Sequence, residues 1–169
     1  MYNQITKKYS QSNLEYMNLE KLPFKVIRKK NDNYFKIENS DKIRRNLSWK
    51  NEIILPQSTL FDLGDINMLS RIHIKNSNVM KINIEIAKDE EGPFYTVEQD
   101  MTIVSGKIRV IKIGSLPCKF LKITVVKGSP IMNCENFEFF GTKFADLNNK
   151  YDPETLELIY YSVYNFIYN

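Results

Sequence analysis

The chain has 169 residues and a mass of 20.0 kDa, with 43% hydrophobic residues, 26% charged residues and a formal net charge of +4. This length fits one domain with its own hydrophobic core, and the composition is that of an ordinary globular protein. No apolar run is long enough to span a bilayer, and the first residues lack the apolar stretch of a secretion signal. We therefore expect a cytoplasmic protein without a membrane span.

The N-terminal part of the chain is polar. Residues 1–22 show only weak helical spacing, and we predict that they form an arm that either lies on the domain or is only partly ordered. Residues 24–37 contain two short alternating runs around Asn31, Asp32 and Asn33. These three residue types tolerate the left-handed backbone of tight turns, so the pattern predicts a β-hairpin.

Positive charge is concentrated between Lys25 and Lys50, where nine Lys or Arg residues accompany three Asp or Glu residues. Such a patch is suited to phosphates, acidic lipid or an acidic protein segment. The alternative, which we favour, is that these side chains only solvate an exposed edge. Nucleic acid is disfavoured because the aromatic pair of RNA-binding motifs is absent. The candidate patch residues are Lys25, Arg28, Lys29, Lys30, Lys42, Arg44 and Arg45.

Between residues 49 and 141 the sequence alternates apolar and polar residues in short runs that turn residues separate. In the clearest run, Ile82, Ile84 and Ile86 alternate with polar neighbours. Alternation with period two places one set of side chains on each face of a strand. Because many short strands of this kind are typical of sandwiches and barrels, we predict an all-β, antiparallel β-sandwich over residues 23–145.

The last segment, residues 146–169, changes to a helical pattern. Asp152 is a favourable N-cap, and Pro153 is favourable at the first helical position. The other side of this helix carries Leu158 and several tyrosines, so either the helix packs deeply or it offers a docking face to another protein. The sequence favours neither interpretation. The candidate docking face, at helical spacing, consists of Leu156, Ile159, Tyr160, Val163, Phe166 and Ile167.

The sequence carries little material for catalysis. His73 is the only histidine and lies on the polar side of a predicted strand, which disfavours nucleophilic triads and histidine metal sites. The glycines stand singly, so there is no glycine-rich phosphate loop. Cys118 and Cys134 are too far apart for a zinc knuckle or a redox motif. We predict no enzyme activity, no metal and no cofactor.

The order of several short motifs resembles the discoidin, or coagulation-factor type C, family of galactose-binding-like domains. The motifs are Asp41 eight residues before Trp49, followed by residues 61–64, 82–89, 94–97, 117–123 and 136–141. The resemblance implies an eight-stranded jelly-roll sandwich whose loops at one end bind sugars, lipid headgroups or proteins. Some members bind calcium near the first motif. Here Lys42 stands where the family often has glycine, and Asn136 where a glutamate is usual, so we expect the calcium site to be lost.

The chain lacks the disulfide that ties the ends of extracellular members, which implies the intracellular branch with its intraflagellar-transport and nicolin-like scaffold subunits. The resemblance therefore predicts a non-enzymatic adaptor, bound to other proteins in a cytoplasmic assembly that is cytoskeletal or ciliary. The alternative is a module that binds a glycan or an anionic lipid headgroup through the loop end of the sandwich. The candidate ligand-binding residues are Trp49, Asp89 and Phe94.

Overall fold

The computed structural model describes residues 19–27, 35–36, 46–49 and 55–168. The strands in these ranges are β1 (Glu20–Leu22), β2 (Lys25–Ile27), β3 (Phe35–Lys36), β4 (Asn46–Trp49), β5 (Gln57–Ala87), β6 (Tyr95–Thr102) and β7 (Ile108–Lys143). A 3-10 helix at Phe144–Asp146 leads into the helices α1 (Leu147–Lys150) and α2 (Pro153–Tyr168). None of the helices in the described ranges is long and apolar enough to cross a membrane.

Strands β5 and β7 are long because each of them bends and continues from one sheet into the other. In the first sheet, residues 57–62 and 79–87 of β5 flank residues 120–128 of β7, and β2 and β6 extend the sheet on either side. In the second sheet, residues 67–77 of β5 lie between two other segments of β7. Strands β1 and β4 pair with the last segment of β7, and β3 pairs with β4. All of these pairings are antiparallel.

The two sheets share one core, as the alternating pattern predicts. Ile82 and Ile84 of the first sheet and Ile72 of the second sheet are each at most 1% exposed. Phe61 and Phe139 meet between the sheets, with their ring centroids 5.1 Å apart. The predicted all-β antiparallel sandwich with a C-terminal helix is therefore confirmed. The described residues form seven continuous strands instead of the expected eight, because β5 and β7 each run through both sheets.

Two expectations for the N-terminal part differ from the structure. Residues 20–22, which we assigned to the arm, form β1 and pair with residues 139–141 of β7. The predicted hairpin over residues 24–37 is wrong, because β2 pairs with β5 whereas β3 pairs with β4. The rest of the predicted arm, residues 1–18, lies outside the described residues.

The helix α2 begins where the sequence predicts. The Asp152 carboxylate accepts hydrogen bonds from the Thr155 hydroxyl at 2.6 Å and from the Thr155 backbone N–H at 3.0 Å. These two bonds hold the pKa of the Asp152 carboxyl below its ordinary value, because they favour the charged form. Asp152 is therefore a true N-cap. Pro153 occupies the first turn of α2, where a backbone N–H has no partner within the helix, so the N–H that proline lacks costs no hydrogen bond.

One end of the sandwich is covered by α2. Ile159 and Val163 pack against Met68 of β5, together with residues of α1 and the segment that follows it. Phe166 reaches further into the main core, where its ring centroid lies 6.3 Å from that of Tyr95. We call this the helix end. The opposite end, formed by the turn at residues 76–79 and the loop at residues 103–107, is called the loop end.

Candidate functional site

At the loop end, one buried asparagine joins the turn to the loop. Asn76 is 1% exposed, and its side-chain Nδ2 donates to the Val104 carbonyl at 3.1 Å. Its side-chain oxygen accepts from the Val79 N–H at 3.2 Å, and its backbone carbonyl accepts from the Gly106 N–H at 2.7 Å. Because a buried amide with satisfied partners rigidifies its surroundings, this network holds the two segments in a fixed relation.

Apolar side chains are exposed around this network. Val104 is 60% exposed and Met80 is 45% exposed. Lys107 and Lys127 lie on the neighbouring loop and strand and are also exposed. The loop end therefore combines apolar surface with charged groups at its margin.

Strand β4 brings Trp49 to the loop end. Trp49 pairs in register with Met132, and the Met132 thioether lies against the Gly128 backbone. Gly128 in turn pairs with Val79, the last residue of the loop-end turn. The backbone of Trp49 is therefore placed near the turn, whereas its side chain lies outside the described part of the structure.

Asp89 and Phe94, the other two candidate ligand residues, lie at the helix end. Strand β5 runs from Val79 at the loop end to Ala87 at the helix end, and these eight residue steps correspond to about 26 Å of extended chain. Asp89 follows in an exposed turn, where its carbonyl accepts from the Gly92 N–H at 3.1 Å. The expectation that Asp89 and Phe94 share a ligand site with Trp49 is therefore wrong.

Phe94 packs against the outer face of the first sheet. The Lys122 ammonium lies 4.1 Å from the centroid of the Phe94 ring and forms an ion pair with Glu85 at 2.9 Å. The ring also packs against a small cluster that contains Leu60 and Phe120. Because a cation covers one ring face, Phe94 offers little flat aromatic surface to a ligand, and we assign it to packing.

The predicted basic patch falls almost entirely outside the described residues. Within them, Lys25 lies exposed on β2, where it pairs in register with Asp62. The patch therefore stays a prediction. Its other candidate residues, all outside the described ranges, are Arg28, Lys29, Lys30, Lys42, Arg44 and Arg45.

Half of the predicted docking face is already covered within the chain. Ile159, Val163 and Phe166 are buried against the sandwich, and Leu156 and Ile167 are partly buried beside them. These residues are unavailable to a partner while α2 is docked. The expectation was wrong in its choice of helix face, because both sides of α2 carry apolar side chains and only one of them meets the sheet.

The exposed side of α2 is aromatic, and we call it the tyrosine face. Tyr164 and Tyr168 are 59% and 69% exposed, and their ring centroids are 4.6 Å apart. Of the predicted docking residues, Tyr160 belongs to this face, and its hydroxyl donates to Asn148 Oδ1 at 2.6 Å. The full tyrosine face consists of Leu158, Tyr160, Tyr161, Tyr164 and Tyr168.

Neither metal chemistry nor thiol chemistry is supported by the described residues. Within them, no group of three or more His, Cys, Asp or Glu side chains is placed to hold a metal ion. Asp41 lies outside these residues, so the lost calcium site stays a prediction. Burial raises the pKa of the Cys118 thiol far above its ordinary value, which keeps this thiol protonated and unreactive.

The asparagine network of the loop end was not predicted from the sequence. Its signal is present, because Asn76, Asn78, Ser105 and Gly106 are residue types that favour turns. The pattern does not show that the two turns meet, since Asn76 and Val104 are 28 positions apart.

No protein-family model and no curated protein matches the sequence, whereas solved structures match the fold. The family 32 carbohydrate-binding module of NanJ from Clostridium perfringens, in complex with galactose, aligns with a TM-score of 0.59 at 17% identity, over 73% of this chain and 99% of that chain. Chitosan-binding module 1 from a chitosanase/glucanase of Paenibacillus sp. IK-5 aligns with a TM-score of 0.55 at 16% identity, over 71% of this chain and 95% of that chain. A further Clostridium perfringens module, in complex with GalNAc-β-1,3-galactose, aligns with a TM-score of 0.54 at 18% identity, over 72% of this chain and 100% of that chain.

These alignments define the chain as a β-sandwich of the galactose-binding-like type, so the predicted discoidin-type fold is confirmed. At this level of identity they show the fold alone. The structures named above are sugar-binding modules, and they give no support to the predicted intracellular branch of scaffold subunits.

Proposed function

We propose that this protein is a non-catalytic module that binds a glycan at the loop end. The observation that carries the proposal is the alignment with the galactose-bound module, which extends over 99% of that module's chain. This reverses the order of the two functions that the sequence suggested, since the glycan-binding alternative now ranks above the adaptor.

The loop end suits a ligand better than the helix end does. The helix end is covered, because α2 packs on it and buries Met68 beneath Ile159 and Val163. The loop end exposes Val104 and Met80 above the Asn76 network. Small-ligand sites combine apolar or aromatic surface with a few fixed polar groups. In our proposal Trp49, at the end of β4, supplies the aromatic surface, and the loop groups orient the sugar.

The test is a glycan array, followed by calorimetry with galactose, GalNAc-β-1,3-galactose and a chitosan oligosaccharide. We expect at least one of them to bind with a Kd of about 1 mM or tighter. Trp49→Ala should weaken this binding about tenfold or more, which corresponds to about 1.4 kcal/mol, and leave the fold intact by circular dichroism. Tyr164→Ala is the matched control, because it removes an aromatic side chain at the helix end.

Two results would contradict the proposal. The first is the absence of binding to every glycan on the array. The second is glycan binding that Tyr164→Ala abolishes and Trp49→Ala leaves unchanged, since this would place the sugar on α2.

The tyrosine face favours a second candidate function, which is the protein-binding adaptor. Tyrosine is enriched in protein interfaces because it combines a large apolar ring with a polar group. Affinity purification with the double variant Tyr161→Ala and Tyr164→Ala tests this function against the original chain. Loss of a stoichiometric partner, with glycan binding unchanged, would favour the adaptor, and purification of the original chain without any partner would argue against it.

A further inference from the structure

The outer face of the second sheet carries a concentration of positive charge. Ile72 and Ile74 of β5 are buried in the core, so the alternating neighbours Arg71, His73 and Lys75 lie on the opposite, outer face. His73 lies on the polar side of its strand, as the sequence predicts, and the structure shows which residues of the adjacent strands lie beside it.

The strand register extends this charge across four neighbouring strand segments. Arg71 pairs with Lys112 on one side and with Phe140 on the other, and Phe140 pairs with Lys21 of β1. Neighbouring strands lie about 4.8 Å apart, so the row from Lys112 to Lys21 is about 14 Å wide. In this row, Lys112 and Arg71 lie on one side of the Phe140 position and Lys21 lies on the other.

One described carboxylate lies beside this row, in register with His73. Among the described side chains of this outer face, Glu138 is the one carboxylate, and it forms an ion pair with Lys21 at 3.3 Å. The outer face of the first sheet is balanced instead. The strand segments of the first sheet carry four cations and four carboxylates, namely Lys25, Lys81, Lys122 and Lys127 with Asp62, Glu85, Glu98 and Asp100.

Arg71 lies within this row, between Lys112 and Phe140. Its side chain is half-buried, yet within the described part of the chain its guanidinium has no hydrogen-bond or ion-pair partner. Its cross-strand neighbour Lys112 carries the same charge, and like charges in directly opposite positions destabilise a sheet. Next to Arg71, the rings of His73 and Phe140 lie 4.6 Å apart. An anionic ligand with an apolar face would pair with the Arg71 guanidinium and cover the rings.

We propose that this surface, which we call the cationic face and define by Lys21, Arg71, His73, Lys112 and Phe140, binds an acidic polysaccharide. The carboxylate or sulfate groups of the polymer pair with Arg71 and Lys112, since a guanidinium binds planar or tetrahedral oxyanions with two parallel hydrogen bonds. A sugar ring lies against the two aromatic rings. The inference rests on the proposed function in one respect, because glycan binding is what identifies the polyanion as a polysaccharide.

The test uses the full chain and four polymers: heparin for sulfate, polygalacturonate for carboxylate, galactan as the neutral control and duplex DNA. Calorimetry at about 50 and about 300 mM salt should show binding of at least one acidic polysaccharide that weakens steeply with salt, because screening shortens the reach of exposed charges. Arg71→Glu with Lys112→Glu should weaken that binding about tenfold or more, because each attraction becomes a repulsion. Galactan binding should be unchanged in this variant.

Two further variants control for misfolding and for net charge. Arg71→Gln with Lys112→Gln removes the two positive charges without reversing them. This variant should also weaken binding of the acidic polysaccharide, and its melting temperature should be unchanged. Lys25→Glu with Lys81→Glu makes the same change in net charge on the balanced outer face, and it should leave binding intact.

Each remaining outcome would overturn one proposal or both. Galactan binding without heparin or polygalacturonate binding would refute the cationic face and leave the proposed function standing. If only Lys25→Glu with Lys81→Glu abolishes binding of the acidic polysaccharide, the anion site lies on the first sheet and the cationic face is refuted. DNA binding equal to or tighter than polysaccharide binding would identify a nucleic-acid surface instead. No binding to any polysaccharide would refute both proposals.

Discussion

Replacing Phe166 with alanine tests whether α2 belongs to the folded core or is a detachable docking element. Phe166 is 1% exposed and is the part of α2 that reaches the main core. Truncation of a fully buried phenylalanine costs about 3–5 kcal/mol, because the transfer energy of the ring is lost and a cavity remains. This is a large fraction of the stability of a typical domain, which is about 5–15 kcal/mol.

Urea denaturation followed by circular dichroism measures the effect. With an m-value of about 2 kcal/mol per molar urea, the midpoint of Phe166→Ala should fall by about 2 M. Tyr164→Ala is the matched control on the same helix, because its side chain is 59% exposed. We expect that control to change the free energy of unfolding by no more than about 0.5 kcal/mol.

An unchanged midpoint for Phe166→Ala would refute this reasoning, as would two separate transitions in which the helix melts before the sandwich. The same reasoning applies to the double variant Ile159→Asp with Val163→Asp, which changes two residues of the predicted docking face. Both side chains are buried, so two unpaired carboxylates should destabilise the whole domain by several kcal/mol.

Three other predictions concern the cap, a close backbone contact and calcium. Asp152→Ala should lower the melting temperature at pH 7. Because the folded-state pKa of Asp152 is lowered, its charge stabilises the protein above the unfolded pKa of about 3.9, and a pH series of melts should show the difference shrinking as pH falls below that value. Gly141→Ala should cost about 3 kcal/mol in chemical denaturation, since the new Cβ would lie 2.1 Å from the Met68 carbonyl oxygen. Calcium at millimolar concentration, or a chelator, should leave the melting temperature unchanged, and a shift of several degrees would show that a calcium site is present.

The sequence correctly predicts those strands and helices in which apolar residues fall on one face and polar residues on the other. Ile82 and Ile84 alternate with polar residues, and the structure buries both of them in the core. The helix start at Asp152 and Pro153 is local chemistry and is also confirmed. The buried side of α2 could not be chosen on apolarity alone. A rule that ranks valine and phenylalanine above tyrosine for full burial would have selected Val163 and Phe166 correctly.

The candidate site depends on contacts between distant parts of the chain, and these are invisible in a local pattern. Trp49 and Asp89 are both in loop-rich regions of the sequence, yet the structure places them at opposite ends of the sandwich. The cationic face is equally hidden, because Arg71 and Lys112 become neighbours only through the register of β5 and β7. Strand alternation predicts which face a side chain occupies and leaves open which strand lies beside it.

The pairing of β5 with β7 also has a consequence for protein synthesis. Each segment of β5 in either sheet pairs with β7 on at least one of its edges, and β7 is completed only at Lys143. A ribosome that has completed β5 has therefore produced an isoleucine-rich strand with an uncovered edge, which is a typical site of aggregation. A nascent chain that stops before residue 143 leaves part of that edge open, and a chaperone that shields β5 until β7 emerges would limit such aggregation.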